Sequence, residues 1–206
     1  MLRLLLLVGL FGSPLISSAQ KKLMVGKQGK PLSDIRFEVF KFYLGNFFFF
    51  NVDHQIIGQE NDFFLIDISE KEMDTLPFII PRETKSIRFS FGVDSSLQHQ
   101  ATFTGDLHPF NGMYWTWQAG YINCKIEGQI TKQNGLEKFT FHLGGFLGKY
   151  KADQNVSIVA DNEDGFHWFV DMKNLSKLVF QNPQKKIMRP SLDAVTLSQK
   201  IVQTFQ

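Results

Sequence analysis

The chain has 206 residues, with 22 Lys and Arg against 20 Asp and Glu, 22 Phe and a single Cys. Scattered basic residues and a net charge of +2 exclude a nucleic-acid-binding stripe, and the lone Cys124 excludes an internal disulfide, so stability has to come from packing.

Residues 1–19 read as a secretory signal: Arg3 gives a basic start, an apolar run fills 4–11, and Ser17-Ser18-Ala19 is a small-residue cleavage site. The run is too short to span a bilayer and no later segment qualifies, so no integral membrane segment is expected. Residues 20–206 are expected to be one domain, exported to the periplasm or secreted.

Residues 22–25 predict a first strand, with a turn over 26–31. The aromatic stretch 35–52 alternates, slips phase at Phe40, Phe42 and Leu44, and breaks at Gly45-Asn46, as a β-bulge would. The four Phe at 47–50 imply burial on both faces. Short strands are expected at 63–67 and 78–80, with a charged loop or helical turn over 69–75. Residues 86–93 form a half-exposed strand with Ile87, Phe89, Phe91 and Val93 on one side.

In 97–104, Leu97, His99, Ala101 and Phe103 share a parity, so His99 falls on the apolar side. Turn signals occupy 105–112. Met113, Trp115 and Trp117 share one parity, whereas Ile122, Cys124 and Ile126 hold the other, which predicts a bulge or kink at Gly120. A hairpin through Gln133-Asn134-Gly135 returns as a strand with Phe139, Phe141 and Leu143 inward and His142 opposite. Strands at 156–160 and 166–172 precede a helix after Pro190, with Ser191 as N-cap and Asp193 in the first turn. The whole predicts a mostly β fold, a β-sandwich or open barrel of antiparallel strands with one C-terminal helix.

No nucleophile elbow, phosphate loop, His-Glu-x-x-His or Cys pair is present, so an enzyme is not expected. Cys124 lies on the apolar parity of its strand and reads as an inert buried thiol. Asp161, Glu163 and Asp164 match no calcium loop and read as a solvated turn. His54 and His108 fall in loops, His167 on a half-buried strand face, and His99 has the pattern of a hydrogen-bonded core histidine. Spacing alone makes His99 with His142 a weak metal signal.

Five segments change that reading: Phe91-Gly92-Val93-Asp94, Leu97-Gln98-His99, Gly105-Asp106-Leu107, the run from Gly112 through Trp115-Thr116-Trp117-Gln118 to Tyr121, and Phe141-His142-Leu143-Gly144. Together they resemble the MbnP-like family of exported copper-binding proteins, in the family's order. The resemblance implies a mostly β fold and copper(I) held by histidines beside a tryptophan that a partner dihaem enzyme oxidises to kynurenine. By matching position it implies His99 and His142 as metal ligands and Trp115 as the modified tryptophan, with Trp117 close by. Two features depart from the family pattern: residues 22–25 contain no histidine, and Cys124 stands alone. An alternative is a β-sandwich interaction module without metal, binding a glycan or protein through exposed Tyr114, Trp117 or Trp168. In a third reading, Trp115 and Trp117 plug one end of the sandwich.

Overall fold

The computed structural model describes residues 20–98, 103–161 and 165–206; the expected signal at 1–19 and the candidate ligand His99 lie outside them. In chain order the strands are β1 (Lys22–Gln28), β2 (Ile35–Phe50), β3 (Ile56–Asp67), β4 (Met73–Thr75), β5 (Ser86–Phe91), β6 (Tyr114–Thr116) and β7 (Gly120–Lys132). They continue with β8 (Gly135–Gly144), β9 (Gln154–Val159), β10 (Gly165–Asp171) and β11 (Lys186–Ile187). The helices are α1 (Ser95–Gln98), α2 (Met172–Gln181) and α3 (Leu192–Val202). The β-sandwich or open-barrel reading holds: an eight-stranded sheet packs against a three-stranded sheet in the order β10-β1-β4. Most pairings are antiparallel, and β1 with β10 and β8 with β11 add two parallel ones.

The fold turns on β2. One edge pairs with β3 from Lys41 to Phe50, while the other pairs first with β7, from Ile35 to Phe42, and then with β5, from Leu44 to Phe50. The changeover coincides with the expected bulge at Gly45-Asn46, where the register shifts and Asn46 takes φ 51. Because strand side chains alternate, one extra residue moves the inward set from Phe40, Phe42 and Leu44 to Phe47 and Phe49. Phe48 and Phe50 point the other way and stay half-buried, with the Arg88 guanidinium 5.1 and 5.3 Å from their ring centres. Burial of the four Phe on both faces is therefore only partial.

The aromatic content fills the space between the sheets. Phe42 and Phe91 meet Trp168 edge-on, and Trp168 stacks on Phe205 at 4.0 Å between ring centres. Each such buried ring contributes about 2–3 kcal/mol, comparable with the roughly 2–4 kcal/mol of a disulfide. The absence of cross-links is thus made good by packing.

Several local expectations need correction. Residues 78–80 are not a strand: the half-buried Phe78 ring is held by Phe47, Phe49 and Phe64, so side-chain packing rather than backbone pairing accounts for the apolar pattern. Within the expected loop at 69–75, Met73 to Thr75 pairs with β1. α2 follows β10 directly, capped by Asp171, whose side chain accepts from the Lys173 and Asn174 amides. α3 is as expected, with Ser191 accepting from the Ala194 amide. The strand parity proposed at 97 gives way to α1, which buries Gln98.

A second, smaller core lies on the outer face of the eight-stranded sheet. It gathers Tyr43, Phe63, Val93, Leu107, Met113, Tyr121 and Ile122, with Tyr114 and Trp115 packed against it. This is where the candidate residues meet.

Candidate functional site

The loop entering the site is pinned by phenols. Tyr43 Oη donates to the Asp106 carbonyl at 2.9 Å and Tyr121 Oη to the Leu107 carbonyl at 3.0 Å. The Asp106 carboxylate accepts from the Leu65 amide at 2.8 Å, tying the same turn to β3. Burial, then the nearby Tyr121 and Asp106, pushes the Tyr43 phenol well above its ordinary value, and burial with Tyr114 pushes Tyr121 up to about 12. Both stay protonated at neutral pH and act as hydrogen-bond donors.

From this loop β6 pairs with β7 through Tyr114 with Tyr121 and Thr116 with Gly120. Gly120 has φ 75, which confirms the expected kink. Its missing side chain also makes room: a Cβ there would collide with the Gln98 amide oxygen and lie 2.9 Å from the Phe146 ring. A further register shift at Asn123, between Ile122 and Cys124, was not expected. It sends Ile122 to the small core while Cys124 and Ile126 stay in the main one, so the three do not share a face.

Trp115 and Trp117 do not share a face either. The strand ends at Thr116 and the chain turns, leaving Trp117 76 % exposed while Trp115 is half-buried. Trp168, the third tryptophan, is in the main core.

His142 stands on β8 on the face opposite Phe141 and Leu143 and is only 8 % exposed. Its register partner is Lys125, and Glu127 lies diagonally opposite, opposite Thr140. His142 Nε2 is 2.6 Å from Glu127 Oε1, and Lys125 Nζ is 3.6 Å from the same oxygen. Partial burial pushes the Glu127 carboxyl up, but the His142 hydrogen bond and Lys125 outweigh it and hold the group below its ordinary value. Gly144, two residues along, shares this face. A Cβ on Gly144 would lie 2.9 Å from Trp115 Cζ3, so the indole occupies the space of the missing side chain. Trp115 and His142 are thus neighbours on one face of β8.

Gln98, the residue before His99, is buried and bridges two segments: its amide donates to the Val93 carbonyl at 3.0 Å and accepts from the Tyr121 amide at 2.8 Å. This ties the chain entering His99 to the start of β7, behind the Trp115 hairpin. Cys124 faces the main core, where burial pushes its thiol well up, as expected of an inert cysteine. His54 is exposed, His108 accepts from the Phe110 amide, and His167 pairs with Asp161 at 2.8 Å.

Among the described residues no group of three or more His, Cys, Asp or Glu side chains is placed to hold a metal, and His99 is not among them. The donor chemistry at His142 still fits a metal. An imidazole anchored through one nitrogen to a carboxylate is oriented to offer the other, as metal-binding histidines usually are. Its Nδ1 has no partner among the described residues. Sequence reasoning missed Glu127, Gln98 and Gly144. Counting back through the 133–135 turn would have placed Glu127 near His142, whereas the other two roles arise only from tertiary contacts.

A family model described as MbnP matches residues 9–188. Among solved structures the chain is similar to MbnP from Methylosinus trichosporium, with 14% identity, a TM-score of 0.55 and 86% of each chain covered, a likeness of fold. No curated protein matches the chain.

Proposed function

We propose, because the chain belongs to the MbnP family, that it is an exported, nonenzymatic copper-handling protein with His142 and His99 as copper(I) ligands beside Trp115. The observation that carries this reading is the outer face of β8, where Trp115 fills the space over Gly144 next to a histidine already oriented by Glu127. Copper(I) accepts two or three imidazole donors, and the bound ion would supply reversible soft-metal coordination. Glu127 fixes the His142 ring, and Gln98 anchors the segment that leads into His99. Trp115 is the residue that a dihaem peroxidase-type partner would oxidise to kynurenine, adding an aromatic amine beside the histidines. Removal of residues 1–19 as a signal would deliver residues 20–206 to the periplasm or the medium.

The test is a copper(I) titration of the purified protein against a colorimetric copper(I) chelator. Wild-type protein should compete, and the His99→Ala, His142→Ala double variant should not; equal behaviour of the two ends the proposal. Intact mass of protein from its native host tests the tryptophan separately, since an unmodified Trp115 removes the kynurenine part alone.

A second reading, a metal-free interaction module, is favoured by the exposure of Trp117 and of Phe110, which is 94 % exposed. It requires a glycan or protein ligand whose binding is lost in Trp117→Ala and kept in His142→Ala.

A further inference from the structure

On the same outer face, across α1 from the tryptophan hairpin, lies a cavity of about 660 Å³ lined by Phe48, Arg88, Ser90, Asp94, Asp153 and Asn155, with Lys151 at its edge. Its polar groups are unevenly satisfied. Asp94 is saturated: it accepts from the Ser96 amide and hydroxyl and from the Asn46 side chain. Asp153 is not. Its side chain is 6 % exposed, Oδ2 meets Lys151 at 3.3 Å, and Oδ1 is buried with no partner among the described residues. A buried carboxylate oxygen left unpaired carries its full desolvation cost, so it calls for a donor from outside the chain. Burial pushes the Asp153 carboxyl up despite the opposing effects of Lys151 and of its own backbone amide.

Three further groups in the same wall want partners. Arg88 rests on the Phe48 and Phe50 rings and has no carboxylate partner among the described residues. Ser90, only 7 % exposed, and Asn155 are paired across β5 and β9, and their side chains make no hydrogen bond to a described residue. Arg88 pairs with Ser157, four residues from Asp153, so the backbone positions that carry the guanidinium and the carboxylate lie about 13 Å apart at strand rise.

The lining decides the class of ligand. Asp94 and Asp153 balance Arg88 and Lys151, so neither a bare cation nor an anion gains net attraction. Backbone positions this far apart favour a ligand with polar groups spread along its length over the adjacent charges of one amino acid. A neutral ring carrying several hydroxyls both donates and accepts along its length, and the volume lies in the range of small-molecule sites. We propose that this cavity binds a saccharide unit, with a hydroxyl donating to the Asp153 carboxylate, others bridging Ser90 and Asn155, and Arg88 donating at the far end.

The experiment titrates metal-free, full-length mature protein with glucose, galactose, mannose and N-acetylglucosamine, up to tens of millimolar, and follows backbone amide shifts by NMR. Saturable shifts with at least one sugar at residues 88–90 and 153–155, weakened about tenfold or more in Arg88→Gln and in Asp153→Asn, are expected. Arg88 is exposed, so Arg88→Gln tests the site without risk to folding. No saturable shift with any of the four sugars overturns the proposal, as do shifts that both variants leave unchanged. So does saturation of the same residues by calcium chloride or inorganic phosphate without sugar. Copper plays no part in the readout, so failure here leaves the copper reading untouched, and the reverse.

Discussion

Gly144→Ala tests the contact that seats Trp115 on β8, two residues from His142. The new Cβ would be closer to the Tyr121 carbonyl oxygen than real Cβ atoms come, 2.9 Å from Trp115 Cζ3 and 3.3 Å from Ile122 Cα. Two of these neighbours are backbone atoms of β7, so the strands must part at the Ile122–Gly144 register and the indole must shift as well. Overpacking of this kind costs about 1–3 kcal/mol, which for a chain of this size lowers Tm by roughly 3–10 °C. The assay is thermal unfolding by circular dichroism together with tryptophan emission in a Trp117→Phe background, which removes the exposed ring. We expect a lower Tm, red-shifted emission from Trp115 as it moves into solvent, and weaker copper(I) retention. A Gly144→Ala protein with wild-type Tm and unshifted emission would show that the indole does not lie on Gly144, and the site geometry would fall with it.

Three further outcomes follow from single side chains. Glu127→Gln removes the carboxylate that orients His142 and should weaken copper(I) binding by about 10–100-fold while the protein stays folded, read by chelator competition and circular dichroism. Gln98→Ala removes the buried bonds to the Val93 carbonyl and from the Tyr121 amide and should cost about 2–4 kcal/mol in urea unfolding; a loss within the error of the extrapolation would count against the bridge. For Asp94, partial burial raises the carboxyl, but the Ser96 and Asn46 bonds hold it below its ordinary value of 3.8. Its folded-state pKa is the lower one, so its stabilisation is present above 3.8 and is lost as pH falls through the folded value. Wild type should therefore lose its advantage over Asp94→Asn in acid unfolding below that point, and a constant difference across pH would refute the assignment.

What could be read directly from the residues was what depends on neighbours in the chain. Alternation marked Ile87, Phe89 and Phe91 as one face of β5, the slip beyond Phe42 marked the bulge at Gly45-Asn46, and Ser191 marked the start of α3. The same local signal placed His142 opposite Phe141 and put a kink at Gly120, because strand parity and a positive φ are written in a few consecutive residues. The motif resemblance added Trp115 as the tryptophan to pair with His142.

Local signals failed where a distant segment decides the outcome. Phe78 has the composition of a strand residue, yet the rings of Phe47, Phe49 and Phe64 claim it; Ile122 has the parity of Cys124, yet a bulge one residue away turns it to the other core. Trp117 shares the parity of Trp115 only if the strand continues, and pairing with β7 ends it at Thr116. The chain therefore dictated which faces are apolar, since that is a property of alternating side chains. Tertiary structure alone decided that Trp115 rests where Gly144 has no side chain, and that Asp153 keeps one oxygen without a donor among the described residues, whereas the Glu127 and His142 pairing follows from one hairpin register. The first two are set by how strands far apart in sequence are brought into register.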